Sequence, residues 1–373
     1  MSMRGEGLPR LAMACWSHDW LLRRDMLGGE YSSLGRVLDE LAARGYNALR
    51  VDAFPHLIGS RSDGVVLDRF QITSGRAPVD IQPRKYLLEL ATLAKARNIR
   101  LWLTSAFLQD SQSCRSFVRR PRDFVDVWSQ TLSALEQQGL LDTVVAVDFC
   151  HEFTDPETTH GAFRSLFHAH PRSLMARLAD WSKEAELAVE AYLQEVPRTL
   201  KALFPSVAFG VSATRQVELR LRKLDTSELD FIDSHLWLDD DPAISLLSAT
   251  PLAHTGGRLG RGLQTRIAGL AWRARGTFWV RSIEQRIEGA AEFARIRRLQ
   301  SVIGGGFVHL ASEQQADWRW VKQVSESVLK ASLAQGVSTI VTAHQARPQS
   351  PRLWADIDWH RDMTKLIIDH PPR

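Results

Sequence analysis

Residues 143–153 read TVVAVDFCHEF. From Thr143 to Phe149 nearly every residue is a β-former, and the run is apolar without alternation. A strand of that kind is buried on both faces, as strands are in a parallel sheet covered by helices. The flanks agree. Helical periodicity runs over Asp123–Gln138 before it and Leu178–Leu203 after it. The strand breaks off into a polar end, Asp148, His151 and Glu152, so its chemistry is concentrated at the carboxyl side.

Working outward, the same unit recurs in both directions. Strands are expected at Leu11–Cys15, Ala48–Phe54, Arg100–Thr104, Thr143–Phe149, Val207–Val211, Leu229–Leu236, Phe307–Ala311 and Ser338–Thr342. Helices are expected at Leu34–Ala43 (closed by Gly45), Tyr86–Ala96, Asp123–Gln138, Leu178–Leu203, Ile283–Val302, Trp318–Leu333 and Asp358–Ile368. Strict alternation implies a parallel sheet with right-handed crossovers. Eight units in 373 residues fit a closed α/β structure, a single (β/α)8 TIM barrel with long βα loops, with residues 1–373 as one domain. No Gly-rich nucleotide fingerprint follows the first strand, which counts against an open doubly wound sheet.

Composition narrows the function classes. The chain is 44% hydrophobic and 24% charged, with a net charge of +4. The basic residues are scattered among acidic ones, and the longest basic cluster, Arg115–Arg122, reads as a loop entering a helix. No nucleic-acid partner is expected. Cys15, Cys114 and Cys150 are odd in number and widely spaced, so neither a disulfide framework nor a zinc knuckle is expected. No signal peptide or 18-residue apolar run is visible, which predicts a cytoplasmic protein with no membrane partner. Oligomeric state leaves no mark on the sequence.

In a barrel of this kind chemistry sits at the carboxyl ends of the strands. Those ends carry Trp16 and His18 on strand one, Arg50, Asp52 and His56 on and after strand two, and Thr104 and Ser105 on strand three. Strand four ends in His151 and Glu152, strand six in His235 and Trp237, strand seven in Ser312 and Glu313, and strand eight in Thr342, His344 and Gln345. Glu152 and Glu313 fall on opposite sides of the ring. Two facing carboxyl groups are what glycosidic hydrolysis needs: one protonates the leaving oxygen, the other attacks or activates water. Arg50 lies in a buried strand and needs a carboxylate, with Glu313 or Asp52 the expected partner. Twelve tryptophans are present; Trp16, Trp237 and Trp354 lie near strand ends, where an indole face can stack on a sugar, whereas Trp128, Trp181 and Trp318 read as helix packing. Glu284 and Glu288 fall in a helical pattern and read as solvated. His168 and His170 form an HxH outside any strand end and read as surface residues, so neither a metal nor another cofactor is expected.

These residues resemble the clan A glycoside hydrolases. TVVAVDFCHEF resembles their strand four, HLASEQ their strand seven, ALRVDAFPHLIG strand two and SHLW strand six. More narrowly, the runs NALRVDAFPHLI, RLWLTSAF, VDFCHEF, SHLW, SEQ followed by DWRWV, and LWADIDWHRDMTKLI resemble the cellulase-like, sugar-binding glycoside hydrolases of bacteria over residues 10–370. The resemblance implies Glu152 as acid/base, Glu313 as nucleophile, Arg50 as support for the nucleophile and His235 in contact with it. Asp52, His56, Trp16, Trp237 and His344 would border the carbohydrate substrate. It also exposes a departure: His151 stands where the clan has the Asn that holds the sugar 2-hydroxyl. The implied activity is a retaining hydrolase of a β-linked oligosaccharide or glycoside, with Glu152 raised in pKa by an apolar setting. The alternatives are a carbohydrate-binding barrel with little or no turnover and, from the histidine-rich mouth, a metal-dependent hydrolase. For the last, strand one offers only His18 where an HxH is usual.

Overall fold

The computed structural model describes residues 8–25, 29–59, 68–72, 78–154, 181–238, 246, 257–307 and 318–370. Eight parallel strands close into a barrel: β1 (Leu11–Ser17), β2 (Ala48–Asp52), β5 (Arg100–Thr104), β6 (Val144–Asp148), β7 (Ala208–Thr214), β8 (Phe231–Trp237), β9 (Gln300–Phe307) and β10 (Thr339–Val341). The ring closes where β1 pairs with both β2 and β10. Helices Leu34–Ala43, Pro83–Lys95, Pro121–Glu136, Lys183–Leu203, Arg215–Leu221, Gly257–Arg297, Trp318–Ala334 and Ile357–Ile368 alternate with the strands. The expected (β/α)8 barrel is the fold. The connection after β2 holds the short helix Pro55–Ile58 and an antiparallel hairpin of β3 (Phe70–Ile72) and β4 (Val79–Ile81). No helix among the described residues is long and apolar enough to cross a membrane. All three cysteines are free and buried.

The two-residue strand period sorts side chains between the barrel interior and the shell beneath the helices. Met13, Cys15, Ala48, Trp102, Ala146, Phe231, Val302 and Val341 share the inner apolar cluster. Trp102 and Phe231 meet there with ring centroids 4.5 Å apart. Leu49, Val51, Leu101, Leu103, Ile232 and Leu236 join the outer core. The period then carries Arg50 and Asp52 inward after Ala48, and Asp233, His235 and Trp237 inward after Phe231. The apolar plug thus fills the lower barrel, and charged side chains take the layers above it.

One strand lies elsewhere than the pattern predicts. The expected helix Ile283–Val302 and strand Phe307–Ala311 are corrected to a helix that ends at Arg297 and a strand, β9, that begins at Gln300. Gly304, Gly305 and Gly306 disguise it, because glycine is depleted in strands. Here the glycines make room for neighbours on β8. A Cβ on Gly304 would lie 2.2 Å from Asp233 Oδ2, one on Gly305 2.9 Å from His235 Nε2, and one on Gly306 2.7 Å from the Leu236 backbone.

Candidate active site

Glu152 lies in the turn that follows β6. Its φ of 48° is left-handed, a costly state for a residue with a Cβ. The surrounding strands hold it there. His151 N–H donates to Ser105 O at 2.8 Å, Glu152 N–H to Ser212 Oγ at 2.8 Å, and Phe153 N–H to Ser212 O at 2.8 Å. The turn is therefore clamped between the ends of β5 and β7, with the Glu152 side chain buried at the barrel mouth.

Two donors from β8 converge on the carboxylate. His235 Nδ1 lies 3.0 Å from Glu152 Oε1, and Trp237 Nε1–H donates to the same oxygen at 2.9 Å. Burial alone would raise the Glu152 pKa. The His235 hydrogen bond, the nearby imidazoles and the Trp237 N–H outweigh it and hold the group well below the usual carboxylate range. The raised pKa expected from an apolar setting is thus corrected: in the unliganded protein Glu152 is ionised. His235 carries the opposite shift. Burial would lower it, but the Asp233 charge and the Glu152 contact raise it to about 9. His151 is pushed down to about 3, by burial first, although Glu152 opposes the shift, and it is neutral.

Behind this pair lies a buried ionic chain. Arg50 Nη2 donates to Asp148 Oδ2 at 2.7 Å and lies 3.3 Å from Asp233 Oδ2. Arg50 Nη1 donates to Gly304 O at 3.3 Å. Asp148 also accepts from Thr104 Oγ1 at 2.7 Å and from Ser212 N–H at 2.9 Å. Asp233 Oδ1 accepts from Gly304 N–H at 2.5 Å, while its Oδ2 faces His235 Nε2 at 3.6 Å. Asp148, Arg50, Asp233, His235 and Glu152 therefore alternate in sign across the barrel mouth. Burial disfavours the Arg50 charge, yet Asp233 and Asp148 hold its pKa above the ordinary value; Asp233 in turn is held down, against burial, by Arg50 and His235.

The expected partner of Arg50 is thereby corrected: Asp148 and Asp233 bind it, and Asp52 does not. Asp52 is buried and spends its oxygens on the backbone N–H groups of Phe54 at 2.8 Å and Ala106 at 2.9 Å, tying β2 to β5. The burial that isolates it raises its pKa. His56 is buried against Phe54 and Phe107, its Nε2 lies 3.1 Å from Leu108 O, and burial lowers its pKa to about 4. Trp16 is fully buried, edge-on to Tyr31 at 5.2 Å, and Trp354 packs on the Arg44 guanidinium. The structure thus places Asp52, His56 and Trp16 in the frame of the mouth, away from the Glu152 cluster. It brings together Arg50, His151, Glu152, His235, Trp237 and His344, the last packed edge-on to Trp237 at 5.1 Å. Glu313, and with it the expected contact of His235 with the nucleophile, lies outside the described residues, as do His168 and His170. Glu284 and Glu288 are exposed on their helix, as the pattern predicts. The residues that the strand ends did not reveal are Asp233 and the three glycines. Their signal was present: Asp233, His235 and Trp237 share one face by the period of two.

His151, Glu152 and His235 each offer a donor atom, all within 4.8 Å of one another, a spacing that could hold a metal ion. Charge argues against a cation there. A bound cation would have to break the 3.0 Å contact between His235 Nδ1 and Glu152, and the Arg50 guanidinium lies 3.4 Å from His151 Nδ1.

The fold is therefore a (β/α)8 barrel with a buried, imidazole-bonded glutamate after its fourth strand. The chain belongs to the cellulase-like family, described as sugar-binding cellulase-like, whose family model matches residues 13–368. Solved structures share the architecture. A protein from Parabacteroides distasonis, provisionally classed as a glycoside hydrolase, is 22% identical with a TM-score of 0.82, covering 98% of this chain and 95% of its own. A broad-specificity endoglucanase from Clostridium longisporum is 10% identical at a TM-score of 0.55, covering 98% and 99%. An endo-β-1,4-mannanase from Thermotoga petrophila is 12% identical at 0.55, covering 100% and 80%. No curated protein matches the sequence.

Proposed function

We propose that this chain is a retaining glycoside hydrolase acting on a β-linked oligosaccharide or glycoside. The observation that carries the reading is Glu152, buried at the barrel mouth with two donors on one oxygen. The endoglucanase and mannanase of like fold point to a β-1,4-linked substrate. Glu152 protonates the departing glycosidic oxygen while Glu313 attacks the anomeric carbon. Glu152, ionised again, then draws a proton from the water that releases the sugar. Trp237 and His344 form the wall beside the carboxylate, and His151 faces the position where the clan holds the sugar 2-hydroxyl.

Glu152→Gln and Glu313→Gln are each expected to lower turnover by roughly 10²-fold or more on a glycoside the wild type cleaves. A screen of β-1,4 glucans, mannans and aryl β-glycosides supplies the substrate. Near-normal turnover by either variant removes the assignment.

A second reading, a barrel that binds sugar with little turnover, is favoured by one observation: His235 and Trp237 both meet one oxygen of Glu152, contacts that favour the carboxylate over the acid. Calorimetry that shows sugar binding while no product forms over days selects it.

A further inference from the structure

The reading above leaves one demand unmet: an ionised Glu152 must obtain a proton before it can give one. The side chain in contact with it that can supply a proton is His235, whose Nδ1 lies 3.0 Å from Oε1. His235 is itself held from behind. Its Nε2 faces Asp233 Oδ2 at 3.6 Å, and that carboxylate is seated where a side chain on Gly304 would otherwise stand.

We propose that Asp233 is a positioning residue that acts on Glu152 through His235, fixing the imidazole so that Nε2–H faces Asp233 and a transferable proton sits on Nδ1 against Glu152. Asp233 has no proton to give, so an Nε2–H turned toward it across 3.6 Å leaves Nδ1 as the exchanging atom. Arg50 and the Gly304 N–H keep Asp233 ionised and in place, and Asp148 shares the Arg50 charge. Among the described residues, the groups facing the imidazole are Asp233 on its own strand, Arg50 from β2, and His151 and Glu152 from the turn after β6. On the β9 side it faces Gly305.

The proton balance follows. In the first step the Nδ1 proton passes to Glu152 and on to the glycosidic oxygen, which leaves with the electron pair of its bond to the anomeric carbon as Glu313 forms the new one. In the second, water replaces Glu313. Its proton goes to Glu152 and returns to Nδ1, so His235 ends as it began. This scheme rests on the hydrolase reading, but the state of His235 is measurable without any substrate.

The test is ring-nitrogen NMR of protein labelled with ¹⁵N-histidine, with His235→Asn used to assign the signal, joined to kinetics of Asp233→Asn. In the wild type His235 is expected to remain an imidazolium at pH 7 and to titrate near 9. In Asp233→Asn the titration moves down toward the ordinary histidine range. Turnover of an oligosaccharide, which needs its leaving group protonated, falls on the order of 100-fold. Turnover of the dinitrophenyl glycoside of the same sugar, whose leaving group needs no proton, falls less than about 5-fold. Equal losses on both substrates, or an unchanged titration in the variant, overturn the proposal. Should the variant not fold, a neutral His235 in the wild type at pH 7 overturns it alone. A wild type that cleaves no glycoside while His235 shows the expected titration shift refutes the hydrolase reading and leaves the effect of Asp233 on His235 standing.

Discussion

His151 is the residue at which this chain leaves its clan. The imidazole is neutral, with Nδ1 3.4 Å from the Arg50 guanidinium, so Nδ1 accepts and Nε2 carries the hydrogen. It can therefore offer the sugar one donor, as an Asn side chain would. A contact of this kind strengthens in the transition state. His151→Ala is accordingly expected to lower kcat by roughly 10- to 100-fold with KM changed far less, and His151→Asn to restore most of the loss. Steady-state kinetics of the two variants check this. A loss carried wholly by KM refutes the transition-state contact. At this scale much of the site was legible: Glu152, Arg50, His235 and Trp237 stand at predicted strand ends because a polar residue closing an apolar strand has few structural uses. The charge of Glu152 was not legible. A carboxyl group near apolar residues reads as raised in pKa, and only the two β8 donors on one oxygen reverse the sign.

At the scale of the element, β9 and β8 form one device. Glycine is the least favourable residue in a strand, and three in succession read as a loop. They are tolerated because the space they leave is filled by Asp233 and His235, whose charges are satisfied there. Gly306 has a further need, since its φ of 110° is strained for a residue with a Cβ. Gly304→Ala would place a methyl 2.2 Å from Asp233 Oδ2 and drive the carboxylate off Arg50. We expect a destabilisation of about 1–3 kcal/mol from overpacking, together with loss of activity, measured as a fall in denaturation midpoint. A variant as stable as the wild type would mean that β9 does not approach β8 as described. The turns at the mouth share a second feature: Ser17, Phe54, Phe107, Glu152 and Phe307, at the ends of β1, β2, β5, β6 and β9, all have positive φ.

At the scale of the whole molecule, histidines held neutral by the fold set its pH range. His56, His151 and His360 are lowered to about 4, 3 and 4 by burial. The unfolded chain protonates them near 6.5 and the native protein does not. Their contribution is therefore complete above 6.5 and is lost as pH falls through the folded values. His235 has the opposite sign: its raised pKa contributes fully below 6.5 and is lost as pH rises through about 9. Chemical denaturation across pH should show stability falling steeply from 6.5 toward 4, at a rate near three protons, and falling again toward 9. Stability that is flat from 6.5 to 4 would contradict the buried, neutral state of the three histidines. An acid limb that persists while the alkaline one disappears in His235→Asn would confirm the separation.

The sequence by itself determined the barrel, since unbroken β-formers between amphipathic helices can bury both faces of a strand in few other ways. It also determined which end carries the chemistry, because polar residues gather at the carboxyl ends of strands. It did not determine which carboxylate neutralises Arg50. That pairing joins residues 98 positions apart through the barrel interior, and His235 reaches Glu152 across 83. Such contacts depend on shear and tilt, which set the layer each inward residue occupies and leave no mark in local periodicity. The tertiary structure decided that Asp233 faces His235 where Gly304 leaves room, and with that the ionised state of Glu152.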